Sequence, residues 1–150
     1  MLAVLWRRPT LLVQVLAADL VADGVGYLLR EAIGRKRPPE IYPRPKPLVH
    51  EPHSGSFPSG HAATAFACAT VLTLALPRYA VPLFLLAVAI AFSRVYVGVH
   101  YPLDVVGGAF LGTLIGALLV FLGRRRRRGA GRAKGGFGAV RRRRPGTRGL

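Results

Sequence analysis

Three polar patches interrupt an otherwise apolar sequence, and the side chains in the longest of them could act on a phosphate group. This patch runs from Ser93 to Asp104 and also contains Arg94 and His100. An arginine is a permanent cation whose planar fork fits phosphate oxygens. A histidine whose ring is held by a carboxylate can serve as a nucleophile or a base. If Pro102 opens a helix, the patch predicts phosphate chemistry at the end of an apolar segment.

The other two patches add cations and a second histidine. Arg30 and Arg37 stand seven positions apart, while the remaining patch is the tetrapeptide Pro58-Ser59-Gly60-His61. Each is a weak signal alone, because a basic residue at a helix end is often an interfacial anchor and a serine there is often only an N-cap. Three such patches in this order, each at a helix end, indicate a site.

Four apolar segments must position these patches. They cover residues 11–29, 60–76, 79–97 and 102–123, and a proline-rich loop over 34–57 separates the first two. Segments of this length and hydropathy are typical of membrane helices. We therefore predict an all-α integral membrane bundle of about four transmembrane helices, forming one membrane-embedded domain over residues 1–123.

Two patterns inside the helices indicate how the bundle packs. Small residues that allow close helix contact recur every four positions in the last helix, at Gly108, Gly112 and Gly116. In the first helix Asp19 and Asp23 share one face, and Asp23 lies two turns before Arg30. We expect these acids to brace a basic site rather than to relay protons.

Positive charge is concentrated at the C-terminal end of the chain. The formal net charge is +16 although 51% of residues are hydrophobic, and residues 124–150 contain twelve Arg or Lys and no acid. This Arg/Gly-rich composition predicts a disordered tail over 124–150. Such a run can bind nucleic acid, but after a membrane helix we expect it to contact anionic lipid headgroups instead.

The distribution of basic residues also predicts the orientation in the membrane. Cytoplasmic flanks collect Lys and Arg. With four alternating helices, Arg7, Arg8, Arg78 and the tail fall on the cytoplasmic side. All three polar patches then meet at the extracytoplasmic face of a bacterial cell membrane. The basic residues between Arg35 and Lys46 run against this rule, and a phosphate site would explain some of their charge.

The three patches resemble the signature motifs of the type 2 phosphatidic acid phosphatase superfamily, which also contains bacterial class A acid phosphatases and vanadium haloperoxidases. The family motifs are Lys-x6-Arg-Pro, Pro-Ser-Gly-His and Ser-Arg-x5-His-x3-Asp. They match here at Arg30 to Pro38, Pro58 to His61 and Ser93 to Asp104. The resemblance covers about residues 20–110. Arg30 replaces the usual lysine, which keeps the charge but exchanges a point donor for a bulkier fork.

The resemblance implies a metal-independent phosphatase that needs no cofactor. His100 would attack phosphorus to form a phosphohistidine, and Asp104 would hold its ring. His61 would protonate the leaving oxygen and then activate water. The phosphoryl oxygens would be bound by Arg30, Arg37, Arg94, Ser59 and the Gly60 amide.

The resulting hypothesis is a membrane lipid phosphatase acting on phosphatidic acid, phosphatidylglycerol phosphate or a polyprenyl phosphate or diphosphate. The alternative is a catalytically silent or truncated member that binds phosphate lipids. A vanadate-dependent peroxidase fits less well, because such members are typically soluble. Family members usually have two more helices before the first motif, so this is either a minimal four-helix version or a sequence starting inside a longer reading frame. A homo-oligomer could cover the exposed side.

Overall fold

The structure is a computed structural model that describes residues 9–42, 48–49 and 54–140, with side chains described as far as Arg125. The chain divides into two compact units, Met1–Val120 and Phe121–Leu150. Arg7, Arg8, residues 43–47 and 50–53 of the predicted loop, and residues 141–150 of the predicted tail lie outside the described residues.

Every regular element in the described part of the chain is helical, which confirms the all-α prediction. The helices are α1 (Pro9–Ile33), α2 (Pro38–Ile41), α3 (Gly60–Ala75), α4 (Ala80–Tyr96) and α5 (Pro102–Val140), with one 3-10 turn at Pro77–Tyr79 before α4. Three of the four long helices, α1, α3 and α5, begin at a proline or glycine, residues that punctuate helical segments.

Among the described residues, three segments are long and apolar enough to cross a membrane: Pro9–Ile41, Pro77–Tyr96 and Pro102–Arg125. The fourth predicted span, α3, is an apolar helix of 16 residues. At 1.5 Å per residue it rises about 24 Å, somewhat less than the ~30 Å hydrocarbon core of a bilayer. Large apolar side chains such as Leu20, Phe92 and Phe110 are exposed on the outer faces, as lipid-facing residues are.

α3 lies at the centre of the bundle and packs against both α1 and α4. Its alanines at positions 62, 63 and 67 are fully buried. The glycine ridge of α5 contacts the same helix: a Cβ added at Gly112 would lie 2.0 Å from the Ala63 carbonyl oxygen, and one at Gly116 would lie 2.7 Å from the Ala67 carbonyl oxygen. The ridge therefore packs inside the bundle, as the sequence predicts.

The predicted loop between the first two apolar segments contains the one-turn helix α2, which hydropathy periodicity could not reveal. Gly34 ends α1 with a left-handed φ of 59° and donates its N–H to the Arg30 carbonyl at 2.9 Å. The Ser56 N–H donates to the Arg35 carbonyl at 2.8 Å, so the two ends of the loop are tied together.

In the structure α5 continues to Val140, past residue 124, where the predicted tail begins. Arginine and alanine have high intrinsic helix propensity, and a preceding helix removes the cost of nucleation. Disorder of residues 124–150 stays a prediction.

Candidate active site

Residues from all three sequence patches line one cavity of about 220 Å³. Its lining combines two arginines and two histidines with other groups from α1, α3 and the intervening loop: Asp23, Arg30, Arg37, Ser54, Gly60, His61, Thr64 and His100. Five of the predicted site residues lie on this one cavity. The remaining three, Ser59, Arg94 and Asp104, do not line it.

His100 lies in the turn between α4 and α5 and is only 5% exposed. The turn is made possible by Gly98, whose φ of 81° lies in the left-handed region. The His100 Nε2 atom is 3.3 Å from Arg37 Nη1, and its Nδ1 atom is 3.5 Å from Asp104 Oδ2. Burial and the Arg37 guanidinium lower the pKa of His100 to about 4. The ring is therefore neutral at neutral pH.

The contact with Arg37 also indicates the tautomer of His100. A guanidinium can only donate, so Nε2 must be the unprotonated nitrogen that accepts this hydrogen bond. The ring proton is then on Nδ1, the atom that faces Asp104. This tautomer presents a lone pair on Nε2, which is the form that a nucleophilic imidazole requires.

Arg37 connects His100 to the loop and is 2% exposed. Its Nε donates to the Ser54 carbonyl at 2.9 Å, its Nη2 donates to the Gly55 carbonyl at 3.2 Å, and its Nη1 donates to the Val99 carbonyl at 3.0 Å. A planar fork with several donors can bind all three carbonyls at once. Arg37 therefore holds the loop and the His100 turn in a fixed relative position.

Asp104 lies in the first turn of α5 behind His100 and is fully buried. Its Oδ1 atom accepts from Arg35 Nη1 at 2.9 Å, and its Oδ2 atom accepts from the Ser56 hydroxyl and from the Tyr101 N–H at 2.9 Å. Arg35 and Ser56 were not among the predicted site residues. The one available signal was the excess of positive charge in the loop that contains Arg35.

Arg30 occupies the position of the family lysine and is 8% exposed. Two glycines make space for its larger head group: a Cβ at Gly60 would lie 2.7 Å from Arg30 Nη1, and one at Gly26 would lie 3.1 Å from it. Arg30 Nη2 is 3.6 Å from Asp23 Oδ1, as the two-turn spacing predicts. In the described part of the chain, the buried Nη1 atom has no hydrogen-bond partner.

The remaining predicted residues differ in how near they lie to the cavity. Ser59 is at the N-cap position of α3 and fully buried, yet its hydroxyl makes no capping bond and has no partner among the described side chains and backbone. Arg94 is partly buried, donates its Nε to Ser93 Oγ at 3.2 Å and does not line the cavity. Asp19 is exposed and also lies away from the cavity.

Within the described ranges, no three His, Cys, Asp or Glu side chains are grouped as metal ligands. The cationic groups that line the cavity are arginines, and a guanidinium cannot coordinate a metal. Metal independence stays a prediction, with its own measurement below.

Comparison with known proteins identifies the family. The model of the PAP2 superfamily matches residues 11–128. A lipid A 1-phosphatase from Rhizobium etli is 37% identical over 116 residues, which cover 74% of this chain and 48% of that protein. An undecaprenyl-diphosphatase from Sulfolobus acidocaldarius is 36% identical over 102 residues, which cover 67% of this chain and 50% of that protein.

A solved structure is similar in fold as well as in sequence. It is a transmembrane PAP2 type phosphatidylglycerolphosphate phosphatase from Bacillus subtilis, with a TM-score of 0.62 and 33% identity, covering 74% of this chain and 58% of that one. The present chain spans about half the length of the curated relatives that it matches. The family match, the membrane helices and the three motifs agree, and the chain belongs to the PAP2 superfamily.

Proposed function

We propose that this protein is a membrane lipid phosphatase that hydrolyses a phosphomonoester or diphosphate of a lipid through a phosphohistidine intermediate. The observation that carries the proposal is the environment of His100, a buried neutral imidazole whose Nε2 atom is directed at an arginine on the cavity wall. Such a nitrogen is a ready nucleophile for phosphorus, and the arginines around it can neutralise the phosphoryl oxygens.

In the first step the substrate phosphoryl group takes over the Nη1 donor of Arg37, which now points to His100 Nε2. The freed lone pair of Nε2 attacks phosphorus, the bond from phosphorus to the lipid oxygen breaks, and His61 donates a proton to that oxygen. The phosphorylated ring becomes cationic, and the buried carboxylate of Asp104 beside Nδ1 stabilises that charge.

In the second step water attacks the phosphohistidine and the P–N bond breaks. His61, which lost its proton in the first step, accepts one from this water, so the catalyst is restored with phosphate as the product. His61 lines the cavity and is solvent-exposed at the start of α3, where it can exchange protons with water.

The phosphoryl oxygens bind to donors that have no other partner or that come from a helix end. Arg30 Nη1 and the Ser59 hydroxyl are buried donors without a partner in the described part of the chain. The Gly60 amide is at the N-terminus of α3, where free N–H groups and the helix dipole attract an anion. We assign Arg94 to the same group, with its side chain turning from Ser93 toward the phosphate when substrate enters.

The membrane helices and the relatives' names support a lipid as the substrate. Three segments are long enough to span a bilayer, and the cavity lies at the ends of the helices, where a lipid headgroup is found. The named relatives act on lipid A, undecaprenyl diphosphate and phosphatidylglycerolphosphate. We further propose that the cavity faces the extracytoplasmic side and that the basic C-terminal segment contacts anionic cytoplasmic headgroups.

The test is phosphate release by purified protein in detergent from phosphatidic acid, phosphatidylglycerol phosphate, an undecaprenyl phosphate and an undecaprenyl diphosphate. We expect release from at least one of these lipids, at a rate that EDTA leaves unchanged. Loss of release with EDTA, restored by added divalent cation, would contradict metal independence. Folded protein that binds these lipids without releasing phosphate would favour the silent binding protein instead.

Replacement by lysine should affect kcat/KM strongly at one of the two motif arginines and hardly at the other. Arg37→Lys removes donors from three buried carbonyls, so we expect kcat/KM to fall about a hundredfold. Arg30→Lys restores the family residue and should change kcat/KM by no more than about threefold. Thermal unfolding midpoints of both variants show whether the loss is one of catalysis or of folding. Equal effects on kcat/KM would contradict the assigned difference between the two sites.

A further inference from the structure

Arg35 makes the closest charged contact to the buried carboxylate of Asp104. The distance from Arg35 Nη1 to Asp104 Oδ1 is 2.9 Å, whereas His100 Nδ1 is 3.5 Å from Oδ2. The Arg35 guanidinium also stacks on the ring of Tyr101, 4.6 Å from its centroid. Two independent contacts therefore fix this arginine, and through it one oxygen of the carboxylate.

The second oxygen of Asp104 is held by two further donors. The Ser56 hydroxyl and the Tyr101 N–H both donate to Oδ2, so the carboxylate cannot rotate without losing hydrogen bonds. The Ser56 N–H also donates to the Arg35 carbonyl at 2.8 Å, which joins the two residues into one unit. His100 Nδ1 has no hydrogen-bond partner within the described residues.

We propose that Arg35 is a positioning residue, which fixes the Asp104 carboxylate and offsets its charge, and so keeps the His100 ring neutral and oriented for attack. Without this cation the carboxylate would act on the imidazole alone and favour its protonated form, whose Nε2 has no lone pair. The inference rests on the proposed role of His100 as the nucleophile. Arg35 stands at one of the six unspecified positions of the first family motif and does not line the cavity itself.

The charge around His100 determines the sign of the expected effect. Asp23, Arg30, Arg37 and His61 line the same cavity as His100, and Asp104 lies 3.5 Å from its Nδ1 atom. Asp104 raises the pKa of His100, while burial and Arg37 lower it. Removing the Arg35 cation strengthens the effect of Asp104, so the pKa of His100 should rise.

The test is a titration of the His100 ring by NMR, in protein labelled at histidine and held in micelles. The chain has four histidines, and His100→Gln identifies the resonance to follow. We expect Arg35→Gln to raise the His100 midpoint by about one pH unit. The ring still stays neutral at neutral pH, so the expected loss of about tenfold in kcat comes from the carboxylate and imidazole no longer being held in place. Arg35→Lys, which keeps a cationic donor, should remain close to the wild type in both.

Lys36→Gln is the matched control, because it removes the same charge from an exposed neighbour of Arg35. An unchanged His100 midpoint in Arg35→Gln, an equal shift in Lys36→Gln, or a lysine variant that behaves like glutamine would each overturn the proposal. If Arg35→Gln does not fold, Arg35→Met takes its place in the titration, because a methionine side chain can still pack on the ring of Tyr101. The titration needs no turnover, so its result is independent of whether any lipid phosphate is a substrate.

Discussion

Replacing His100 with glutamine is expected to abolish phosphate release from lipid substrates. Glutamine is close in size to histidine and can still contact Arg37, but its amide cannot form a covalent bond to phosphorus. The loss of a covalent nucleophile typically lowers kcat by about 10⁴-fold or more. The measurement is single-turnover phosphate release, combined with quenching in alkaline detergent, which preserves a phosphohistidine, and then acid treatment, which should release the phosphate from the wild-type protein.

The informative control for this variant is binding. Because Arg30, the Gly60 amide and Arg37 all remain, His100→Gln should bind a non-hydrolysable lipid phosphonate with an affinity within about threefold of the wild type. Residual turnover above about 1% of the wild-type rate would mean that water attacks the substrate directly. That outcome would leave His100 as a base and contradict the phosphohistidine step.

Replacing Gly112 with alanine is expected to have the largest effect on folding. The added Cβ would lie 2.0 Å from the Ala63 carbonyl oxygen, a contact to backbone that no side-chain rotation can relieve. α3 and α5 must then separate, and overpacking of this kind costs about 1–3 kcal/mol or more. We expect the unfolding midpoint in detergent, followed by circular dichroism, to fall by about 5–10 °C.

Separation of α3 from α5 should also move residues of the candidate active site. The Ser59 N–H donates to the Asp104 carbonyl at 2.9 Å across this helix pair, and a Cβ at Gly108 would meet the Ser59 carbonyl. Gly24→Ala is the matched control, since no atom outside the local helix lies within 4 Å of its added Cβ. That variant should keep or slightly raise the midpoint. A midpoint for Gly112→Ala equal to that of Gly24→Ala would contradict the close α3–α5 packing.

Relations within one helix were predictable because helical geometry is local. Asp23 and Arg30 are two turns apart on one face, and the structure brings them to 3.6 Å. The four-residue recurrence of glycine in α5 likewise placed Gly108, Gly112 and Gly116 on one ridge. The apolar segments were long enough to predict four helices, of which three reach spanning length.

The surroundings of Asp104 required the tertiary structure. Arg35 and Ser56 are 69 and 48 positions away from it in the sequence, and no periodic rule relates a loop residue to a distant helix. Their positions follow from how the two described ends of the loop meet the start of α5, where most buried donors and acceptors find a partner.

The amino-acid sequence by itself therefore determined the helices, the family motifs and which residue types could do chemistry, because hydropathy and spacing act along the chain. Only the tertiary structure decided which of these groups share one cavity, which arginine contacts His100 and which one holds the Asp104 carboxylate behind it. The physical reason is that charges and hydrogen bonds in a buried site depend on distances of a few ångströms between distant segments, and packing of the helices and the loop sets those distances.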